Sequence, residues 1–369
     1  MPSYYLLSAP TPLPITPPTQ QEVLAAIDRG VQYLLQNQLS DGSFGTSYPK
    51  FVKFDMPEEE FHSLKMATTS LCLKGLIENF DGSEEMDRAI TRAEDWMFKT
   101  VPGFRRPALR TMFNVWGNAY ALEALLAMLE HRPLDEDRLQ KTRELIELQI
   151  ELLTAYRTLR GGWGYYNSVT QTRPPSHWAA SFMTAAVLIA LANAKEAGFD
   201  VPKQASAPAV LALQTARSPD GTFDYWIRYM SDWTLDSNNG PGAMGRTQGC
   251  NAALRMWGDE RITDDAIEAW LKRLIARNGW LSMGRKTVYP HSSFFQVAGY
   301  YYYYASYYGA VCITLLPAED QPFYQDQLAK ILIDLQEKDG SWWDFPVIDY
   351  FKGYGTGYAL SALHRCLHN

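Results

Sequence analysis

The sequence predicts an all-α protein, a closed α/α barrel of six helical hairpins with inner and outer helix rings. Three observations carry this expectation. Glycine loops recur at Gly42, Gly103, Gly162, Gly221, Gly279 and Gly340, about 61, 59, 59, 58 and 61 residues apart. So even a period along the whole chain marks a repeat architecture. Between the loops, half-polar amphipathic segments alternate with segments that are apolar nearly all round. The first kind covers a surface and the second is buried on every side. Finally, neither end of the array carries the polar capping segment that an open stack needs, so the ring is expected to close.

The elements follow in order. Residues 1–19 contain Pro2, Pro10, Pro12, Pro14, Pro17 and Pro18. Proline fixes φ and removes backbone donors, so this Pro-rich N-terminal arm is expected to be extended or disordered. Residues 20–369 are expected to form a single domain. Its first outer helix places Val23, Leu24, Ile27, Val31, Leu34 and Leu35 on one face, with Asp28, Arg29 and Gln32 off it. It ends at Gln38, before Asp41-Gly42-Ser43-Phe44, and the following helix, ATTSLCLKGLI, carries little charge. The third repeat pairs the amphipathic RLQKTRELIELQIELL with the dry TAAVLIALANA from Thr184. The second is the least regular, with VPGFRR around Gly103 and then Trp116, Tyr120, Leu122 and Leu125. The fourth has Asp220-Gly221-Thr222-Phe223 and a long loop with Asp232, Trp233, Asp236 and Asn238. The fifth has Asn278-Gly279-Trp280 and a tyrosine run from Tyr300 to Tyr304. The sixth is QEKDGSWWDFPVIDYFKGYGTGYALSAL, Gln336 to Leu363. Asp-Gly and Asn-Gly suit tight turns because glycine takes positive φ without steric cost. The aromatic two residues on can pack back against the helix ends.

Composition bounds the function classes. Hydrophobic residues make up 46% and charged residues 20% of the chain, as in a globular protein. A net charge of −7 disfavours non-specific nucleic-acid binding, which needs a basic face. No run of roughly 18 apolar residues suggests a membrane span, although peripheral membrane contact stays open. Cys72, Cys250, Cys312 and Cys366 form no CxxC pair and read as small core residues. They fit a reduced, cytoplasmic compartment, as does an N-terminus without a charged n-region.

QNQLSDGSFG and QEKDGSWW resemble the QW-type repeats of squalene-hopene cyclases and of protein prenyltransferase β subunits. The resemblance spans all six repeats and implies the α/α toroid of that superfamily. The cyclases carry a DxDDTA motif whose central aspartate protonates the substrate. Aligned on Thr184-Ala185-Ala186, its aspartates fall on Ala180, Phe182 and Met183. In the prenyltransferases an Asp, a Cys and a His hold zinc. Those places fall on Ala252, Leu254 and Gly355, so neither a zinc site nor any other metal or cofactor is expected. Arg246 matches an arginine that contacts diphosphate in that family, but the lysine expected three residues later is Gly249.

Inner-helix N-termini should line the mouth of the ring, where helix dipoles favour anions. His62 lies seven residues before Thr69, and His177 seven before Thr184. Asp349 holds a similar place in the last repeat, and His291 precedes the fifth inner helix at another offset. His177, Asp349 and His62 are therefore the candidate acid–base residues. Read structurally, the same groups cap helices or bind loop carbonyls. The candidate ligand-binding set is Trp116, Tyr120, Trp178, Phe182, Arg246, Tyr301, Tyr304, Tyr354 and Tyr358, on or near inner helices. Aromatic faces stabilise cations by roughly 0.5–2 kcal/mol each and also line apolar pockets. The plainer reading is that they fill a wide core. Asp232 and Asp236 form a weaker candidate for paired-carboxylate chemistry.

The expected function is a terpene cyclase- or prenyltransferase-like protein that binds an isoprenoid or similar apolar small molecule in the centre of the ring. Any activity would use unfamiliar residues. Two alternatives stand beside it: a scaffold that kept the ring, and a hydrolase or lyase working through polar rim residues.

Overall fold

The structure is a computed structural model that describes residues 6, 8–45, 58–104, 114–164, 179–227, 238, 240–286, 302–345 and 350–368. Its helices alternate between two rings. The outer ring is α1 (Gln20–Asn37), α3 (Glu84–Thr100), α5 (Glu136–Ala155), α7 (Lys203–Thr215), α9 (Asp264–Ala276) and α12 (Gln321–Asp334). The inner ring is α2 (Glu58–Glu78), α4 (Asn114–His131), α6 (Ser181–Glu196), α8 (Gly240–Met256), α11 (Tyr302–Thr314) and α13 (Tyr350–Arg365). A short helix α10 (Asn278–Met283) and a 3-10 turn (Val101–Gly103) replace regular turns, and a two-residue hairpin pairs Ala179–Ala180 with Trp226–Ile227.

The split into rings follows from sequence. In α6 every residue from Ser181 to Leu191 is buried. α3 buries Met86, Ile90, Ala93 and Met97 and leaves its polar face to solvent. Side chains cap four of the six outer helices. Thr19 and Glu22 form a reciprocal capping box on α1, and Ser83, Asp135 and Thr263 each accept from a first-turn amide. Each inner helix packs on the next, and α13 packs on α2, so the ring is closed.

Four turns share one geometry. Leu39 N–H donates to Ser43 O, Thr158 to Gly162, Ser218 to Thr222 and Glu337 to Ser341, at 2.8–2.9 Å. Gly42, Gly161, Gly221 and Gly340 sit in them at φ of 82–90°. The third repeat's turn glycine is thus Gly161, one residue before the Gly162 that even spacing suggests. A Cβ on Gly42, Gly161 or Gly340 would lie 2.2–2.3 Å from the carbonyl of Arg92, Pro208 or Arg29. Each of these carbonyls belongs to the next outer helix, so the bare glycine is where that helix docks. Gln38 Nε2 then donates to Gly42 O and to Ala89 O on α3, at 2.9 and 2.8 Å. Gln336 Nε2 does the same to Gly340 O and to Ala26 O on α1, both at 2.9 Å, which ties the last repeat to the first.

Just past the glycine, a large apolar side chain turns inward. Phe44, Trp163, Phe223 and Trp342 stand two residues past it in the regular turns, Phe104 follows Gly103 directly, Leu281 stands two past Gly279, and all six are buried. The Trp163 and Trp342 indoles donate to Leu153 O and Leu332 O at 2.8 Å. The amides of Phe44, Trp163 and Trp342 donate to the hydroxyls of Thr69, Thr184 and Thr356 on the inner helices, at 3.0–3.1 Å. These three threonines are therefore equivalent.

The far end of the inner ring is not purely apolar. Lys74 pairs with Glu123 at 2.8 Å and Glu78 at 3.5 Å, and Arg365 pairs with Glu78 at 3.0 Å. Asn193 donates to Glu123 at 2.8 Å. Burial works against the Glu78 carboxylate, but Arg365 and Lys74 overcome it and hold its pKa down at about 2. Two cations balance two anions, so removing one partner would strand a buried charge at a cost of about 3–5 kcal/mol. The arm lies along the outer ring, where Arg273 of α9 donates to the Ser8 hydroxyl at 3.1 Å and Gln327 of α12 to Leu13 O at 2.9 Å.

Candidate functional site

The inner helices meet on the ring axis through aromatic rings. Trp116 of α4 stacks on Tyr120, one turn along, at 5.6 Å between centroids, and on Phe182 of α6 at 5.8 Å. It meets Tyr304 of α11 edge-on at 6.4 Å. α4 and α11 belong to the second and fifth repeats and face each other across the ring. Side chains that join them must cross its middle. Tyr358 of α13 lies edge-on to Tyr120 and Tyr304, and the Tyr120 and Tyr358 hydroxyls are hydrogen-bonded. The Tyr304 hydroxyl donates to Phe182 O at 2.8 Å. Gly249 of α8 makes room for it, since a Cβ there would lie 2.4 Å from the Tyr304 oxygen. Burial pushes the Tyr304, Tyr308 and Tyr358 phenols well above their ordinary pKa, so they remain neutral.

At this level the axis is filled, not hollow. Tyr120, Phe182, Tyr304 and Tyr358 form a closed aromatic floor. Trp116 and Tyr354, in the first turns of α4 and α13, keep part of their surface, as do Tyr225 and Trp226 before α8. Tyr225 packs on Phe182 at 4.9 Å, and Tyr354 on Tyr358 at 5.0 Å. What contact surface the floor offers therefore lies on its N-terminal side, toward the mouth.

The structure brings together Trp116, Tyr120, Phe182, Tyr304, Tyr354 and Tyr358 of the expected ligand-binding set. Arg246 is buried beside them and holds backbone. Its Nε donates to Phe223 O and an Nη to Gly242 O, both at 2.7 Å, while its guanidinium lies 5.8 Å from the Tyr225 ring. His62 is exposed near the start of α2. His177, Trp178, Asp349, Tyr301, His291, Asp232 and Asp236 lie outside the described residues. In the sequence His62, His177 and Asp349 each stand seven residues before one of the three equivalent threonines.

Sequence reasoning missed Asp344. It is 1% exposed, two residues past Trp342 in the sixth turn. Its Oδ2 accepts from the Tyr303 amide in the first turn of α11 at 3.2 Å, while Oδ1 is buried with no hydrogen-bond partner. Burial raises its pKa well above the usual carboxylate range, against the pull of the Tyr303 amide and Arg285. Arg285 donates to Trp343 O at 3.0 Å and to the Tyr303 hydroxyl at 3.1 Å, and its Nε has no partner. Lys286, the one non-glycine residue at positive φ among those described (63°), donates its amide to Asp344 O at 2.5 Å. An aspartate inside SWWDFP reads as a turn residue. Only the neighbouring turn, folded over it, makes it a buried acid.

No family model and no curated protein matches the chain. Solved structures do. A type II terpene cyclase, MstE from Scytonema, matches over 94% of this chain and 98% of its own, at 15% identity and a TM-score of 0.52. An inactive variant of the α-1,6-mannanase GH76A of Salegentibacter sp. HEL1_6, in complex with α-1,6-mannotriose, covers 93% and 99%, at 13% identity and 0.63. A D-mannose isomerase covers 96% and 99%, at 12% identity and 0.59. The chain shares the α/α toroid fold with all three, and at such identities the likeness is one of fold alone.

Proposed function

We propose that the protein binds an isoprenoid or similar apolar ligand on the mouth side of its aromatic floor. One observation carries this reading. Trp116, Phe182, Tyr304 and Tyr358, from four different inner helices, converge on the axis, and among the described residues no carboxylate is hydrogen-bonded to them. Such a surface offers dispersion and π-faces to an apolar chain, and its neutral phenols add no charge to be desolvated. The terpene cyclase neighbour supports the apolar class; the mannanase and isomerase neighbours support a sugar.

Lipid extraction and mass spectrometry of the purified protein test the proposal, followed by titration with the recovered molecule. Trp116→Ala should weaken binding about tenfold, as expected for loss of one large buried contact. Extracts without lipid, together with no response to isoprenoid alcohols, would sink the proposal and leave the scaffold reading. A second reading, a hydrolase or lyase acting on a sugar, is favoured by the buried Asp344 carboxyl. It predicts turnover of an oligosaccharide that Asp344→Asn abolishes.

A further inference from the structure

We infer that Arg285, Asp344 and the first turn of α11 form a subsite for a single carboxylate at one end of an otherwise apolar ligand. The inference rests on the proposed apolar site and extends it to the ligand's polar end.

Every open group in this cluster is a donor. Arg285 has two hydrogen-bonded acceptors, Trp343 O and the Tyr303 hydroxyl, and an Nε without a partner. Among the described residues it makes no ion pair with a carboxylate. Asp344 is buried with Oδ1 unpartnered. In its neutral form that carboxyl has a hydroxyl to give and no acceptor to receive it. The first-turn amides of α11 add the positive end of a helix. An oxygen anion satisfies all three.

Charge count selects the kind of anion. Lys286 pairs with Glu337 and lies 4.5 Å from the Trp343 ring, so that pair cancels. Asp344 is neutral while protonated, which leaves one positive charge among the described residues of the cluster, on Arg285. One carboxylate matches it; a diphosphate would bring surplus negative charge against buried groups. The cluster is also continuous with the aromatic floor along one helix. Tyr303 supplies the amide and hydroxyl of the polar end, and its neighbour Tyr304 crosses the axis. A chain lying on the floor can thus present its head group at the first turn of α11.

Among the described residues, the groups facing Asp344 are Arg285, the Tyr302 and Tyr303 amides, and, further off, the Lys286 and Glu337 side chains. Deprotonating Asp344 would set a second negative charge beside the bound carboxylate. Affinity for an acid should therefore fall as pH rises through the Asp344 pKa, while affinity for an alcohol should not change.

The test compares farnesoic acid, farnesol and farnesyl diphosphate by calorimetric titration of the whole protein. Farnesoic acid should bind about tenfold more tightly than farnesol, the increment of one charge-assisted hydrogen-bonded contact. Arg285→Met should erase that preference with farnesol binding unchanged, which also shows that the variant is folded. Asp344→Asn keeps a donor in place and should retain the preference while abolishing its decline with pH. Equal binding of acid and alcohol by the unaltered protein overturns the carboxylate subsite and leaves the apolar site standing. Tighter binding of the diphosphate than of the acid overturns the choice of a single anion. Failure of all three probes rejects the apolar site itself, and this subsite with it.

Discussion

Four turns of the ring obey one rule, and those of the second and fifth repeats do not. In the regular turns a glycine sits at positive φ, at Gly42, Gly161 and Gly340 it lets the next outer helix approach, and an aromatic then dives into the core. In the irregular pair, Gly103 and Gly279 keep the period but not the conformation. Neither has positive φ, and a Cβ on either meets nothing within 4 Å. What all six turns share is the buried side chain: Phe104 and Leu281 sit where Trp163 and Trp342 sit elsewhere. The inward anchor thus holds the architecture, while the glycine geometry is one of two ways to reach it. The departure has a consequence in the fifth repeat, where α10 leads directly into Arg285 and Lys286 against Asp344.

The sharpest way to break this comparison is to remove the anchor from each kind of turn. Trp342→Ala and Trp163→Ala should each cost about 3–5 kcal/mol, with Leu281→Ala toward the lower end of about 2–5 kcal/mol. Denaturant unfolding would check this. A neutral Leu281→Ala would mean that the fifth turn is not anchored as the others are. Next in size is the glycine itself. Gly340→Ala and Gly161→Ala force a left-handed backbone costing roughly 1–2 kcal/mol, to which the overlap with Arg29 O or Pro208 O adds. Gly103→Ala and Gly279→Ala should be neutral or stabilise by about 0.4–1 kcal/mol through the unfolded chain. Equal losses in all four would erase the distinction.

Two aspartates of regular turns differ in what covers them, since only Asp344 is packed under the fifth repeat's irregular turn, and pH separates them. Asp344 is raised by burial, so its folded pKa exceeds the unfolded value of about 3.9. Its contribution to stability is complete below that unfolded value and is lost as pH rises through the folded pKa. Asp344→Asn should therefore flatten the fall of stability that begins as pH rises above about 3.9, measured by urea unfolding across a pH series. Identical slopes in the two proteins would mean that Asp344 is charged in the folded state.

Much of this was legible in the sequence, for physical reasons that also explain what was not. The ring could be read because an outer helix such as α3 must alternate polar and apolar faces, whereas α6 need not. The aromatic set could be read because Trp116, Tyr120 and Tyr358 stand on dry helices, where large rings have nowhere to go but inward. That they fill the axis could not, since it depends on Tyr304 reaching across to α4 and on Gly249 leaving space. The Lys74–Glu123 and Arg365–Glu78 pairs were equally hidden. Lys74 and Glu78 share one helix, but the partners that balance them, Glu123 and Arg365, are supplied by the neighbouring repeats. Asp344 was missed for the same reason, since its burial comes from the neighbouring turn.

The smallest expected effect belongs to a regular turn. Asp41 is only partly buried, and that burial opposes its charge, but Lys65 at 2.8 Å and the hydroxyl and amide of Ser43 hold its carboxyl down at about 2. The sign is opposite to that of Asp344. The contribution is present above the unfolded pKa and is lost as pH falls through about 2. Solvent reaches the pair, so screening leaves it about 0.5–1 kcal/mol. Asp41→Asn should lower stability by that amount at neutral pH, less at high salt, and make no difference in strong acid. A loss that persists in acid would assign the role of Asp41 to the shape of the turn, through its hydrogen bonds to Ser43, and not to its charge.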